Sequence, residues 1–457
     1  MWQQIYDPLH SKWLSTFIAS LPVIVLLGGI GLFHMKAHIA AVAGLAVALL
    51  VAIVGYGMPV EMAGKSALWG ALFGLLPIGW IILNIIFLYL MTKESGLFEV
   101  LQDSIAGITN DRRLQLLLVA FCFGAFFEGA AGFGTPVAVT GAMLIGLGFS
   151  PLAASGLSLI ANTAPVAYGA LGTPIIALAA VTGLDLHQLS AMTGRQLPFF
   201  SVIVPFWLIW AFVGWRNMLQ IWPAILVAGV SFAIPQYLVS NFHGPWLVDV
   251  VAAIVSMVLL TLFLKVWHPK EIWTSVTREG KSVSAAEAER MSTRKRHSPA
   301  LVRKAWMPFA ILSVLVFAWG TPQLKNLLNG QWPANKVTGT PEVKAAYSPI
   351  TKIDFPITGL HEKIVRVPPV APADAKPEKA VFTLNWASAT GSGILVAAII
   401  AGFFMGMPLR KMVRMYGQTL HLVRFSLLTI AAMLALGFVT RVSGVDATLG
   451  LAFAGTG

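Results

Sequence analysis

The residues of this chain best placed to do chemistry lie between positions 121 and 174. Glu128 is the one formal charge in the 71 residues from Leu114 to Leu184, and it sits inside FFEGAAGFGTPVAVTGA. A carboxylate in so apolar a stretch costs several kcal/mol at membrane depth, and such acids face a bundle interior or a water-filled path as proton or substrate sites. Helical spacing puts Gly124, Ala125, Ala131 and Gly132 on its face. Small faces mark helix contacts within membranes, so Glu128 is expected to point into protein or a cavity rather than at lipid.

Two Gly-Thr-Pro units follow, Gly134-Thr135-Pro136 and Gly172-Thr173-Pro174, 38 residues apart. Proline removes a backbone donor and disfavours helix in the residue before it, while glycine permits a reversal. Each unit can therefore break a helix and leave free N–H and C=O groups, which is tolerated at membrane depth where they line a cavity. Broken helices whose N-termini aim partial positive charge at an anion are a recurring transporter device. Between the units, Asn162, Thr163 and Tyr168 add neutral hydrogen-bonding groups. The reading is a proton-coupling acid, Glu128, beside an anion site made by Gly132, Gly134, Thr135, Asn162, Thr163, Tyr168 and Thr173. Bonding between neighbouring helices is the competing use of each polar group taken singly.

The elements that must position these residues are membrane helices. Hydrophobic residues make up 57% of the 457 and charged residues 11%, against about 25% charged in soluble domains; mean hydropathy is +0.78. Apolar runs near 14–33, 37–56, 67–91, 197–213, 219–239, 246–266, 305–320, 388–408 and 421–440 approach the roughly 20 residues that cross a bilayer. The 114–184 stretch must hold several more embedded pieces. Alternating β-barrel periodicity is missing. The fold class expected is an all-α polytopic membrane protein, a secondary transporter of inverted-repeat architecture with broken or re-entrant helices and eleven or more membrane segments. Asp7 and the lack of a convincing cleavage site argue that the first helix is retained rather than a signal peptide.

Charge sets the orientation. From Lys265 to Lys304 there are ten Lys/Arg against four acids, which predicts a cytoplasmic loop at 267–304 under the positive-inside rule. Counting from it places Lys36, Lys93, Arg112, Arg113, Arg216, Arg410, Lys411 and Arg414 inside and the N-terminus outside. The chain then divides into an N-terminal membrane domain at 1–266 with the polar motif at 121–174, the basic loop, and C-terminal membrane segments at 305–457. These carry a periplasmic insertion at about 321–386, whose PPVAPADAKPEK stretch reads as a partly extended, solvated connection. SVSAAEAERMSTRKRH in the basic loop reads as a short amphipathic helix or disorder.

Other functions find little support. No CxxC, HExxH or Walker pattern occurs, and the glycines at 129, 132 and 134 open no βαβ unit. Cys122 is the single cysteine and reads as packing. The net charge of +12 is spread over loops and does not suggest nucleic acid. No metal and no cofactor are expected, the proton gradient being the energy source; the partners are a small monocarboxylate, protons and the lipid bilayer, and the oligomeric state stays open. Arg441 is a candidate substrate clamp because a guanidinium fork matches a carboxylate, although a helix-end arginine is the commoner use. Asp185 and His187 read as loop and cap residues, His34 and His38 as interfacial.

FFEGAAGFGTPVAVTGAMLIGLGF, SLIANTAPVAYGALGTPI, the opening WQQIYDP and the loop TGLDLHQLSAMTGRQLP together resemble the lactate permease family over essentially the whole chain. The resemblance implies uptake of L-lactate, D-lactate and glycolate with protons across the bacterial inner membrane; it supplies no binding residue. Family members continue beyond this chain's final LGLAFAGTG, so the partner half of a two-repeat midplane site is expected to be missing from it. In the mechanism expected, Glu128 takes a proton outside and releases it inside, while the anion binds at the broken helices and the pair moves as a nearly neutral unit. A sodium-coupled organic anion carrier and, further off, a membrane-embedded enzyme are the alternatives.

Overall fold

A chain of alanine, leucine, isoleucine and valine runs with no internal water must satisfy its backbone within each segment, and helices do so. The computed structural model describes residues 1–132, 135–275, 282–283, 297–329, 351–372 and 374–454. Its first helices are α1 (Lys12–Gly31), α2 (Ala37–Leu50), α3 (Val60–Phe73), α4 (Trp80–Glu94) and α5 (Leu97–Ala106). The central set is α6 (Arg112–Leu116), α7 (Gly124–Ala130), α8 (Thr135–Gly146), α9 (Pro151–Asn162) and α10 (Gly169–Thr182). Then come α11 (Leu186–Leu219), α12 (Trp222–Phe242), α13 (Val248–Val266), α14 (Pro299–Gly320), α15 (Pro322–Leu328), α16 (Thr390–Phe404), α17 (Leu409–Ser443) and α18 (Val445–Ala454).

Among the described residues nine helical stretches are long and apolar enough to cross a membrane, and α9 with α10, bent by 72°, makes a tenth. The apolar helices α16 and α18 are shorter. Several stretches outrun the apolar runs that announce them: Val60–Glu94 covers 35 residues with a kink at the non-helical Leu76, α11 covers 34 with a kink at Gly214, and α17 reaches 35. Their ends carry Arg, His and Gln, which lower hydropathy without ending a helix.

The centre of the bundle joins the 19-residue stretch Arg112–Ala130 to the shorter α8, α9 and α10, and residues 113–130 are all buried. A Cβ at Gly124 would lie 3.3 Å from Thr140 Cγ2, and Thr140 Oγ1 donates to Ser158 Oγ at 2.9 Å. Residue pairs 124/140 and 140/158 can meet only if α7, α8 and α9 fold back on one another, so the chain enters, reverses near residue 132, leaves, and enters again. The breaks expected of 114–184 are present, at Gly132 and between α9 and α10, which are bent by 72°.

The two ends of the bundle are tied differently. At one end the N-terminus, the 351–386 segment and the end of α17 meet: Trp2 N donates to Lys363 O at 2.8 Å, and Gln4 Nε2 donates to Arg441 O and Val442 O at 2.9 Å each. The 351–386 segment, expected to be a solvated connection, is instead a folded cap. Its strands β2 (Ile353–Pro356) and β4 (Val381–Leu384) pair antiparallel, β3 (Ile364–Val365) pairs in parallel with β1 (Trp2–Gln3), and Leu360, Ile364 and Phe382 are buried. At the opposite end Arg113, expected to be a loop charge, is 0% exposed and ties three segments together. Its guanidinium donates to Asp111, Asn217 O, Gln220 Oε1 and Glu271 O, and Trp273 N donates to Asp111. Breaking so buried a pair costs about 3–5 kcal/mol. Lys411 pairs with Glu94 at 3.0 Å on this same end. Most of SVSAAEAERMSTRKRH lies outside the described residues.

Candidate functional site

Three chain breaks meet beside Glu128. α7 stops because Gly132 takes φ +57, and a Cβ there would lie 2.8 Å from Ala170 N and Cβ. After α9 the chain makes a single 3₁₀ turn at Val166–Tyr168, and Ala170, Leu171 and Gly172 take φ of 44°, 57° and 77°. The left-handed region costs a residue with a side chain about 1–2 kcal/mol. Tight packing holds it in place, since a Cβ at Gly172 would lie 2.6 Å from Pro245, just before α13. Regular helix resumes at Thr173, with Pro174 in the first turn, where its missing N–H costs nothing. The strained turn at Ala170–Gly172 interrupts the helix, so the half-helix from Thr173 presents the positive end of its dipole to the junction.

Into this junction Glu128 presents a carboxylate that is 4% exposed. Gly169 lies against it so closely that a Cβ would overlap Oε1. The Asn162 side chain, at the end of α9, faces the same carboxylate. A second acid stands beside it: Asp249, in the first turn of α13, is 1% exposed, and a Cβ at Gly129 would come within 2.8 Å of its own Cβ. Gly129, over which Asp249 sits, is the residue next to Glu128. Glu128 Oε2, Asn162 Oδ1 and both Asp249 oxygens are buried without a hydrogen-bond partner. Interior polar atoms are nearly always bonded, so four orphaned acceptors converging here describe a site made to receive a proton or a donor group.

The polar neighbours of the junction are mostly committed. Tyr168 Oη donates to Ser190 O at 2.6 Å, and Ser190 Oγ donates to Ser240 O at 2.9 Å. Thr173 Oγ1 makes a long contact of 3.4 Å to Gly169 O, which leaves it the freer hydroxyl. A separate cavity of about 510 Å³ beside Phe126, Met257, Trp306 and Phe309 is almost wholly apolar and offers an anion nothing. No group of three or more His, Cys, Asp or Glu able to share a metal occurs among the described residues.

A family model described as L-lactate permease matches residues 15–457. This chain belongs to the L-lactate permease family. It is 44% identical to the glycolate permease of Escherichia coli strain K12 and 43% identical to the L-lactate permease of Salmonella typhimurium, in each case over 100% of this chain and 79% of the relative. The L-lactate permease of Bacillus subtilis strain 168 is 43% identical, over 100% of this chain and 80% of the relative. No solved structure matches. Membership in a permease family makes the chain a multi-pass membrane transporter and not an enzyme.

In this L-lactate permease family member the structure gathers Glu128, Gly132, Asn162, Tyr168 and Thr173 at one junction. Gly134 and the side chain of Thr135 lie outside the described residues. Thr163 is turned outward, its hydroxyl donating to Ile160 O at 2.7 Å. Arg441 is elsewhere: its Nη1 donates to Ala180 O at 2.8 Å and its Nη2 stands 3.7 Å from Glu378. Ala180 is seven residues beyond Thr173, about 10 Å along α10, so this guanidinium closes the capped end of the bundle. Asp185 caps α11 by accepting from Gln188 N at 2.8 Å. Asp249 is the site residue that sequence reading passed over. Its signal was available, since it is the only acid between Leu247 and Leu264.

Proposed function

We propose that this chain takes up lactate and glycolate together with protons across the bacterial inner membrane, and that Glu128 carries the proton. The substrate class comes from the relatives' names, lactate for most and glycolate for one. The observation that carries the mechanism is the Glu128 carboxylate, buried at the meeting of the broken helices with Oε2 unpartnered. The anion's carboxylate binds at the open first turn of α10, next to the Thr173 hydroxyl. Asn162 Oδ1 accepts from the 2-hydroxyl that lactate and glycolate share. Glycolate differs from lactate by one methyl, worth about 0.8 kcal/mol of burial, so one site serves both. A protonated Glu128 lets anion and proton cross as a nearly neutral unit, which avoids the cost of moving net charge through hydrocarbon.

Radiolabelled lactate uptake into vesicles, with proton and sodium gradients imposed separately, tests the coupling. Accumulation on a proton gradient alone is expected. Accumulation that follows only the sodium gradient would transfer the carboxylate site to a metal cation and end this reading.

We further propose that the capped end is periplasmic, N-terminus included, and that the opposite end, with Lys93, Arg112, Arg113, Arg216, Arg410 and Lys411, is cytoplasmic. The positive-inside rule supports this orientation. The native Cys122 is buried, so single cysteines at the exposed positions Lys270 and Pro369 report the two ends. A membrane-impermeant maleimide added to whole cells is expected to label Pro369→Cys and spare Lys270→Cys. The reverse pattern would invert the assignment.

A further inference from the structure

We propose that Asp249 is a second coupling residue, and that Glu128 and Asp249 hold one proton between them as a single two-carboxylate unit. The argument rests on burial and placement. Asp249 is 1% exposed and sits over Gly129, the residue next to Glu128, and neither of its oxygens has a partner. A helix N-terminus favours an acid in its first turn, but a structural cap would show its oxygens engaged by backbone N–H groups, and these are not. Among the described residues no cation pairs with it. Two buried carboxylates on neighbouring positions of one apolar junction, with no cation beside them, cannot both stand ionised, because each would bear the other's repulsion without solvent. One proton relieves both, as in other carboxylate pairs that share a site.

The titratable groups around Asp249 are few. Glu128 on α7 and Tyr168 in the turn before α10 lie within electrostatic reach of it. The adjoining α12 carries Tyr237 and is closed by His243, and α10 has no titratable side chain. Transfer within the unit breaks the O–H bond on Glu128 and forms one on Asp249, leaving a net charge of −1 on the pair in either arrangement. The proton can thus stay bound while the charge shifts from α7 to α13. α7 ends the Arg112–Ala130 stretch at the chain reversal near Gly132 and α13 is a separate helix long enough to span the membrane, so the shift can accompany their relative movement.

This inference rests on Glu128 as proton carrier, and the test separates the two. Glu128→Gln, Asp249→Asn, the double variant and Asp249→Glu are compared in vesicles for proton-gradient-driven lactate accumulation and for lactate counterflow, across the acid to neutral range. In Asp249→Asn the ratio of accumulation to counterflow is expected to fall at least about tenfold, within the range of a lost proton-transfer group. The double variant is expected to be no worse than Glu128→Gln alone, since members of one unit are not additive. Asp249→Glu, which keeps an acid, is expected to accumulate with a displaced pH profile. A normal ratio in Asp249→Asn, with Glu128→Gln defective, would remove Asp249 from coupling and leave Glu128 standing. Normal accumulation in Glu128→Gln would remove both. Should Asp249→Asn lose all counterflow, an Asp249→Glu that recovers it with an unaltered pH profile would make the residue structural.

Discussion

Glu128→Gln is expected to abolish lactate accumulation driven by a proton gradient, bringing it down to the level seen with no gradient imposed. Glutamine has nearly the volume of glutamic acid and fits the same gap beside Gly169, so the loss would come from chemistry rather than packing. The amide cannot gain or give up a proton near neutral pH, and the site then has no way to couple anion movement to proton movement. Folding should survive: Glu128 Oε2 makes no hydrogen bond that the variant would forfeit, and replacing an acid by a neutral amide lowers the cost of burial. Counterflow should therefore fall far less than accumulation. The measurement is uptake in vesicles at matched protein amounts, with and without the imposed gradient. Accumulation equal to that of the parent chain would show that the proton binds elsewhere.

Much of this arrangement was legible in the sequence. The helices were, because Leu, Ile, Val and Ala runs have no other way to bury a backbone in lipid. The break before Thr173 was, because Gly172 and Pro174 each remove an ordinary helical option. What the local pattern does not carry is which residues bear the strain. Ala170 and Leu171 have no left-handed preference of their own, and they take positive φ only because Gly132 and Pro245 pack against the turn.

Asp249 was hidden for a similar reason. Its partnership with Glu128 depends on the missing Cβ of Gly129, 120 residues earlier, and an acid opening a helix otherwise reads as a cap. Arg441 took the commoner of its two expected uses, at a helix end rather than on the substrate. An arginine closing an apolar span invites a substrate role, but its partner Glu378 sits in a segment whose strands of two to four residues are too short to announce a fold. Arg113 shows the same limit. In the sequence it is one of several basic loop residues, and only the convergence of Asp111, Asn217, Gln220 and Glu271 makes it the buried tie of its end of the bundle.

Gly169→Ala offers the sharpest test of whether the position of Glu128, and not merely its presence, is needed. Gly169 has φ −58° and ψ 156°, which alanine adopts without strain. The substitution acts instead through space: the new methyl overlaps Oε1 of Glu128 and no other group comes nearer. The carboxylate must swing away from Asn162 and Asp249, at the 1–3 kcal/mol typical of overpacking. A displacement of that size converts to roughly 5- to 150-fold, and lactate uptake is expected to fall by at least about tenfold at unchanged membrane content. Shortening the acid should relieve the overlap. Glu128→Asp withdraws the carboxylate by one methylene, so Gly169→Ala with Glu128→Asp is expected to transport better than Gly169→Ala alone, a sign inversion that only direct contact between the two residues predicts. Gly64→Ala, where a Cβ meets nothing within 4 Å, serves as the neutral comparison. Parental uptake in Gly169→Ala would mean that transport tolerates a displaced Glu128, and the tight seat that the broken helices make for it would then be packing alone.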